Sequence, residues 1–157
     1  NELQGLASVQ RLEQRICGNG SSHLNLQLAT YPKGEVVKAR GEERKVDEVL
    51  PGVDAAEAAE LVASGATYLD VREVVEFDSG HAPGALHIPM DELRGRLGEL
   101  PAGLLVVGCR SGARSAKVVG LLLAEGYEAI NLTGGLRAWA AAGLEVVDAS
   151  GAPGVVL

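Results

Sequence analysis

From Val46 onward, short apolar runs alternate with stretches whose apolar residues recur every three or four positions. Runs of the first kind read as strands, and periodic stretches of the second kind as helices. The predicted strands are Thr67-Tyr68-Leu69-Asp70-Val71, Ala85–Ile88, Leu104–Val107 and Ala129–Leu132. Between them the spacing predicts a helix over Ala55–Ala63, with Asp54 as its N-cap and Gly65 as its stop. A helical turn is predicted around Val74–Asp78, and a helix from a cap at Asp91 to Leu100, ended by Pro101. The run Ser115–Glu125 buries Val118, Val119, Leu122 and Leu123 and stops at Gly126, and Gly135–Ala142 closes the series with Trp139 on its apolar side. Strand and helix in alternation imply an α/β fold, a mostly parallel sheet with helices on both faces.

Residues 1–45 do not keep this rhythm. Leu3, Leu6, Leu12 and Ile16 fall near helical spacing, and Gly18-Asn19-Gly20-Ser21-Ser22 breaks the pattern. Leu24, Leu26 and Leu28 then alternate with polar residues, and Pro32-Lys33-Gly34 offers a turn back into Val36-Val37. A helix with a hairpin and a partly disordered extension both fit this segment. The chain therefore divides into an N-terminal extension of uncertain structure (1–45), a main domain (46–147) and a C-terminal tail (148–157).

Charge sharpens the division. Residues 1–45 hold seven basic and five acidic side chains, whereas residues 46–157 hold seven basic and sixteen acidic. The formal net charge of −7 argues against a general nucleic-acid binder. A length of 157 residues with 46% hydrophobic and 22% charged residues suits one ordinary globular core. No apolar run approaches the roughly 18 residues of a membrane span, so no membrane partner is expected. Two cysteines, Cys17 and Cys109, make no disulfide framework, and a cytoplasmic location is the resulting expectation. No His, Cys and carboxylate set has metal-ligand spacing, so neither metal nor cofactor is expected. Gly134-Gly135 lacks the glycine pattern of a dinucleotide site.

The chemistry concentrates in Cys109-Arg110-Ser111-Gly112-Ala113-Arg114. A strand leads in, a tight loop carries the cysteine at its head, and a helix leads out. Such a loop aims backbone N–H groups and the positive end of a helix at one sulfur, which favours the thiolate. A cysteine closing a buried strand is also a common inert core residue. Two arginines and a glycine within five positions are poor core neighbours, however, and they suit an anion cradle. Cys109 is thus the candidate nucleophile, with Arg110, Ser111, Gly112, Ala113 and Arg114 as the candidate substrate-binding loop.

The segment from Val46 to Val147 resembles the single-domain rhodaneses, the thiosulfate sulfurtransferase-like family. The resemblance rests on Leu69-Asp70-Val71-Arg72, on Glu76-Phe77 leading to Gly80-His81-Ala82-Pro83-Gly84-Ala85, and on Cys109 through Ser115. It continues in Leu123 through Gly126-Tyr127 and in Leu132-Thr133-Gly134-Gly135-Leu136-Arg137-Ala138-Trp139. These pieces stand in the family's order over about two thirds of the chain; Ala82, where isoleucine is commoner, is a small departure. The resemblance implies a five-stranded, mostly parallel sheet and a Cys109 that takes up sulfane sulfur as a persulfide. It also implies a small thiosulfate-like anion as donor and a thiol, a protein thiol or cyanide as acceptor.

On this reading Arg110 faces the opening and lowers the cysteine pKa, while Arg114 braces the loop or holds sulfite oxygens. Asp70 and Arg72 are expected to form a bracing ion pair, and His81 a structural hydrogen bond, rather than to take part in proton transfer. Cysteine phosphatases and arsenate reductases of similar fold generally carry one more residue between cysteine and arginine than the four found here. A regulatory or sulfur-relay module is the alternative from another class, with residues 1–45 as a docking arm and Cys17 as a relay thiol.

Overall fold

The computed structural model describes residues 50–157 in full and, before them, the backbone of two strands. Those strands, β1 (Val36–Ala39) and β2 (Glu42–Lys45), pair antiparallel. Val36-Val37 thus lies in a strand, and its partner is the charged run Glu42-Glu43-Arg44-Lys45, which has no apolar signal in sequence. The helix predicted near Leu3–Ile16, the strand at Leu24–Leu28 and Cys17 lie outside the described residues.

The main domain is a five-stranded sheet in the order β3-β7-β6-β4-β5, parallel throughout. Its strands are β3 (Gly52–Val53), β4 (Thr67–Asp70), β5 (Leu86–His87), β6 (Leu105–Gly108) and β7 (Ala129–Leu132). Three helices lie between them, α1 (Ala55–Ala63), α2 (Val74–Ser79) and α3 (Ala113–Ala124), and α4 (Gly135–Ala141) follows β7. Asp54 caps α1 reciprocally: its carboxylate accepts from Glu57 N–H at 2.9 Å, and Glu57 accepts from Asp54 N–H at 3.2 Å.

The predicted helix from Asp91 to Leu100 is not an α-helix. It consists of two 3₁₀ turns, Leu93–Gly95 and Leu97–Glu99. Gly95 and Gly98 fall within it, each costing about 1 kcal/mol relative to alanine in a helix. Its backbone bonds all span three residues, as in Arg96 N–H to Leu93 C=O and Leu100 N–H to Leu97 C=O.

Alternating strand residues build two cores. On one face Tyr68, Val106 and Ile130 pack with Leu61 of α1 and with Leu136 and Trp139 of α4. On the other, Leu69, Leu105 and Val107 pack with Val118, Val119 and Leu122 of α3 and with Leu93. Residues 148–157 return over the end of α2. Val147 pairs with His81 and with Pro153, and Val155 N–H donates to Ser79 C=O at 2.8 Å.

The chain leaves β4 toward β5 on one side of the sheet and leaves β6 toward β7 on the other. The connections therefore diverge between β4 and β6, the place where open parallel sheets hold ligands beyond their strand ends. Arg72 follows β4 and Cys109 follows β6 at this divide.

Candidate active site

Cys109 ends the central strand β6 and is 1% exposed. Its Sγ lies 3.1 Å from the donating N–H of Gly112 and 3.4 Å from the hydroxyl of Ser115. Gly112 caps α3 with φ +95°, a left-handed turn that glycine adopts without penalty. A side chain there would press on Gly134 N and Leu132 O, 3.1 and 3.2 Å away.

The orientation of the loop amides has a visible cause. The carbonyls of Cys109 and Arg110 accept from the N–H groups of Leu136 and Arg137 in the first turn of α4, at 2.8 and 3.1 Å. In a trans peptide the N–H points opposite to its C=O. Fixing those carbonyls on α4 therefore turns the amides of Arg110 and Ser111 away from α4. Two helices cooperate here: α4 holds the loop's carbonyls, and α3 presents its positive end to the sulfur.

Burial of Cys109 pushes its thiol pKa up, but hydrogen bonds outweigh it. The Ser115 hydroxyl and the amides of Ser115, Ser111 and Gly112 leave the pKa below the ordinary thiol value of 9.0. The sequence reading gave this lowering to Arg110, yet the largest lowering influences are these neutral donors. Arg110 is exposed at the loop's rim, as are Ser111 and Ala113.

Arg114 points to Glu76 of α2 in a two-pronged pair, Nη1 and Nη2 at 2.7 and 2.6 Å from the carboxylate. The pair ties the loop after β6 to the helix after β4. Glu76 also accepts from Glu73 N–H at 3.1 Å. Its carboxyl sits below the ordinary value, held there first by the Arg114 hydrogen bonds.

Beneath that tie lies a buried pair. Arg72, 0% exposed, donates from Nε and Nη2 to Asp70 at 2.9 and 2.7 Å, and further to the carbonyls of Glu76 and Gly80 at 3.1 and 2.7 Å. It thereby ties the middle of α2 and the turn after its C-terminus to the end of β4. His81 donates from Nδ1 to Phe77 C=O at 2.8 Å, and its ring stacks on Phe77. His87 stacks on the same ring, and its Nε2 lies 2.8 Å from Arg72 C=O. None of Asp70, Arg72 or His81 contacts the sulfur; they frame α2 and the β4 end of the site.

This geometry shares its pattern with known proteins. The profile of the Rhodanese-like domain family matches residues 54–142.

The chain belongs to the rhodanese-like family. Its relatives include a sulfurtransferase of Allochromatium vinosum, 40% identical over 85 residues that cover 53% of this chain and 79% of the relative. Thiosulfate sulfurtransferase 18 of Arabidopsis thaliana is 39% identical over 111 residues, covering 60% of this chain and 81% of its own. The crystal structure of a rhodanese-related protein from Thermoplasma volcanium superimposes with a TM-score of 0.59 at 33% identity, over 62% of this chain and 97% of that one. Among the described residues of this rhodanese-like protein, no helix is long and apolar enough to cross a membrane, and no His, Cys, Asp and Glu group could hold a metal ion.

Three residues in the contact network around the Cys109 loop carried no role in the sequence expectations. Ser115 and Asn131 are two of them: the Ser115 hydroxyl donates to Asn131 Oδ1 at 2.6 Å as well as reaching the sulfur. Glu76 is the third. Ser115 was open to inference, because a helical side chain leans toward the preceding turn, and Ser115 is the third residue of α3. Asn131 and Glu76 lie 16 and 38 residues from their partners, and local pattern does not reach that far.

Proposed function

We propose that this protein is a sulfurtransferase that carries sulfane sulfur on Cys109. The observation that supports the reading best is a buried sulfur facing Gly112 N–H and the Ser115 hydroxyl at the head of α3, with its pKa held below that of a free thiol.

In the first step the Cys109 thiolate attacks the outer sulfur of a thiosulfate-like donor. A bond forms from Sγ to that sulfur as the donor's S–S bond breaks, and its electron pair leaves on sulfite. In the second step an acceptor thiolate, or cyanide, attacks the outer sulfur of the persulfide. The Sγ–S bond breaks, its electrons return to Cys109, and the acceptor departs as a persulfide or as thiocyanate. Dividing the transfer through a covalent intermediate gives ping-pong kinetics.

The negative charge stays within the cradle in both forms, so the same fixed amides serve both steps. Ser111, Gly112 and Ala113 supply the curled backbone, and Arg110 at the rim attracts the anionic donor. Arg114, paired with Glu76, sets the loop's position. The four residues between Cys109 and Arg114 favour a compact cradle for sulfur over a larger oxyanion.

Reduced protein incubated with thiosulfate and weighed intact, without reductant, tests the reading. One added sulfur, released by cyanide and absent from Cys109→Ser, is expected. A folded protein that gains no sulfur from thiosulfate would overturn the thiosulfate reaction.

A further inference from the structure

Residues 50–157 hold fourteen carboxylate side chains and seven Lys or Arg. Three of the seven are committed to carboxylates: Arg72 to Asp70, Arg96 to Glu92 and Glu99, and Arg114 to Glu76. The other four, Arg94, Arg110, Lys117 and Arg137, are exposed and have no ion pair among the described residues. Arg110 and Arg137 flank the sulfur loop, joined through the Arg137 N–H to Arg110 C=O bond. Arg94 and Lys117 line an open cleft of about 300 Å³. Two of these cations thus stand beside the sulfur loop and two line the cleft, in a domain that is otherwise acidic.

The cleft has a composition of its own. Met90, Val118 and Leu121 give it an apolar lining, and Arg94, Lys117 and Asp91 supply its charges, a net single positive charge. One wall is α3, where Arg114, Lys117, Val118 and Leu121 share a face at helical spacing. At 1.5 Å per residue, Lys117 lies about 4.5 Å and Leu121 about 10 Å along the helix from Arg114. The other wall is fixed to the end of β4 by the bond from Met90 N–H to Val71 C=O, 3.1 Å. The cleft therefore opens one helical turn from the sulfur loop, across the same β4–β6 divide. Its volume is at the small end for a ligand pocket and too small for a folded partner.

We infer that this cleft anchors the sulfur acceptor: a small peptide-like thiol whose carboxylate binds between Arg94 and Lys117. Its apolar stem lies on Met90, Val118 and Leu121. An extended peptide spans about 3.3–3.6 Å per residue, so a cysteine next to the residue that bears the carboxylate, its side chain adding to the reach, spans the helical turn between this anchor and the loop. The two unpaired cations supply the charge complement, and Asp91 penalises ligands that bring several carboxylates to one spot. The assignment to an acceptor rests on the sulfurtransferase reading; carboxylate binding in the cleft does not.

S-methylglutathione, which carries the carboxylates but no free thiol, tests the binding without turnover. Titrated into ¹⁵N-labelled protein, it is expected to shift the amides of Met90, Val118 and Leu121 saturably. Arg94→Gln with Lys117→Gln is expected to weaken that binding at least tenfold, and the diethyl ester of the same ligand to bind the unaltered protein as weakly. Absent saturation, shifts confined to Arg110 and Arg137, or equal binding of acid and ester would each overturn the inference. A second arm measures KM for glutathione and for its diethyl ester with persulfidated enzyme. The double substitution is expected to raise the first at least tenfold and to leave the ratio of ester to acid near one. An unchanged KM for glutathione would overturn the acceptor role. Persulfide formation is read separately by intact mass, so failure at that step is failure of the sulfurtransferase reading and not of the cleft.

Discussion

Replacing Ser115 by alanine removes one hydroxyl and tests what holds the Cys109 thiolate. The hydroxyl has a single hydrogen, and two acceptors compete for it: Asn131 Oδ1 at 2.6 Å and Cys109 Sγ at 3.4 Å. With a neutral thiol the shorter bond to Asn131 takes the hydrogen. When the sulfur ionises it becomes a charged acceptor, which competes with Asn131 Oδ1 for the same hydrogen. A hydrogen bond to a charged group is worth about 1.5–3 kcal/mol, and the long sulfur distance puts this one near the lower bound. One pKa unit is about 1.36 kcal/mol, so Ser115→Ala is expected to raise the Cys109 pKa by about one unit. Below both pKa values that means about tenfold less thiolate. A thiolate of higher pKa is the stronger nucleophile, which returns about threefold. At a pH below both values the net loss in rate is then about threefold, with recovery at higher pH. The pH dependence of iodoacetamide alkylation measures the pKa directly. An unshifted profile in a folded Ser115→Ala protein would refute the argument and leave the amides and the α3 dipole as the whole cause. Asn131→Asp, which holds the hydroxyl permanently and adds a negative charge, is expected to raise the pKa further.

Arg72→Met leaves the Asp70 carboxylate buried without its partner and strips donors from the carbonyls of Glu76 and Gly80; urea denaturation is expected to show a loss of about 3–5 kcal/mol. Glu76 has a depressed pKa, first through its hydrogen bonds to Arg114, so its pair stabilises the fold above the ordinary value of 4.5 and ceases to as pH falls through the folded value. Glu76→Gln is therefore expected to lower the urea midpoint at neutral pH and to flatten its fall between neutral and acid pH; an unchanged acid limb would count against the pair. Gly135→Ala brings a Cβ into the Cys109 carbonyl oxygen at a φ of +60°. It is expected to destabilise the protein and also to raise the thiol pKa, which alkylation profiles would show, whereas a purely global effect would leave the pKa of the folded fraction unmoved.

Much of the framework was legible because it is local. Periodicity marks α1, α3 and the central strands, Asp54 and Glu57 announce a helix start, and Cys109 stands between a strand and a helix. The misread segment, Asp91–Leu100, contains apolar residues at helical intervals, but its two glycines weaken the helix that the intervals suggest. The site's inner contacts were not legible for a different reason. Ser115 meets Asn131, and Glu76 meets Arg114, only because β7 lies beside β6 and α2 follows the neighbouring strand. Tyr68 is a further case. It is 2% exposed, its hydroxyl has no hydrogen-bond partner among the described residues, and burial pushes its pKa up. Its ring occupies the space where a side chain on Gly108 would stand, so the residue beside the nucleophile is small because a strand 40 positions away is aromatic.

The carbonyls of Cys109 and Arg110 rest on Leu136 and Arg137, in the last helix of the domain. This makes the chemistry of the cysteine a report on completed folding. While α4 is undocked, nothing fixes the loop's carbonyls, the amides of Arg110 and Ser111 lose their alignment, and the sulfur keeps only the donors of α3 and its cap. A nascent or partly opened chain is thereby spared the oxidation and stray sulfur uptake that an exposed, activated thiolate invites. Full reactivity thus requires a docked α4, and it falls when α4 undocks.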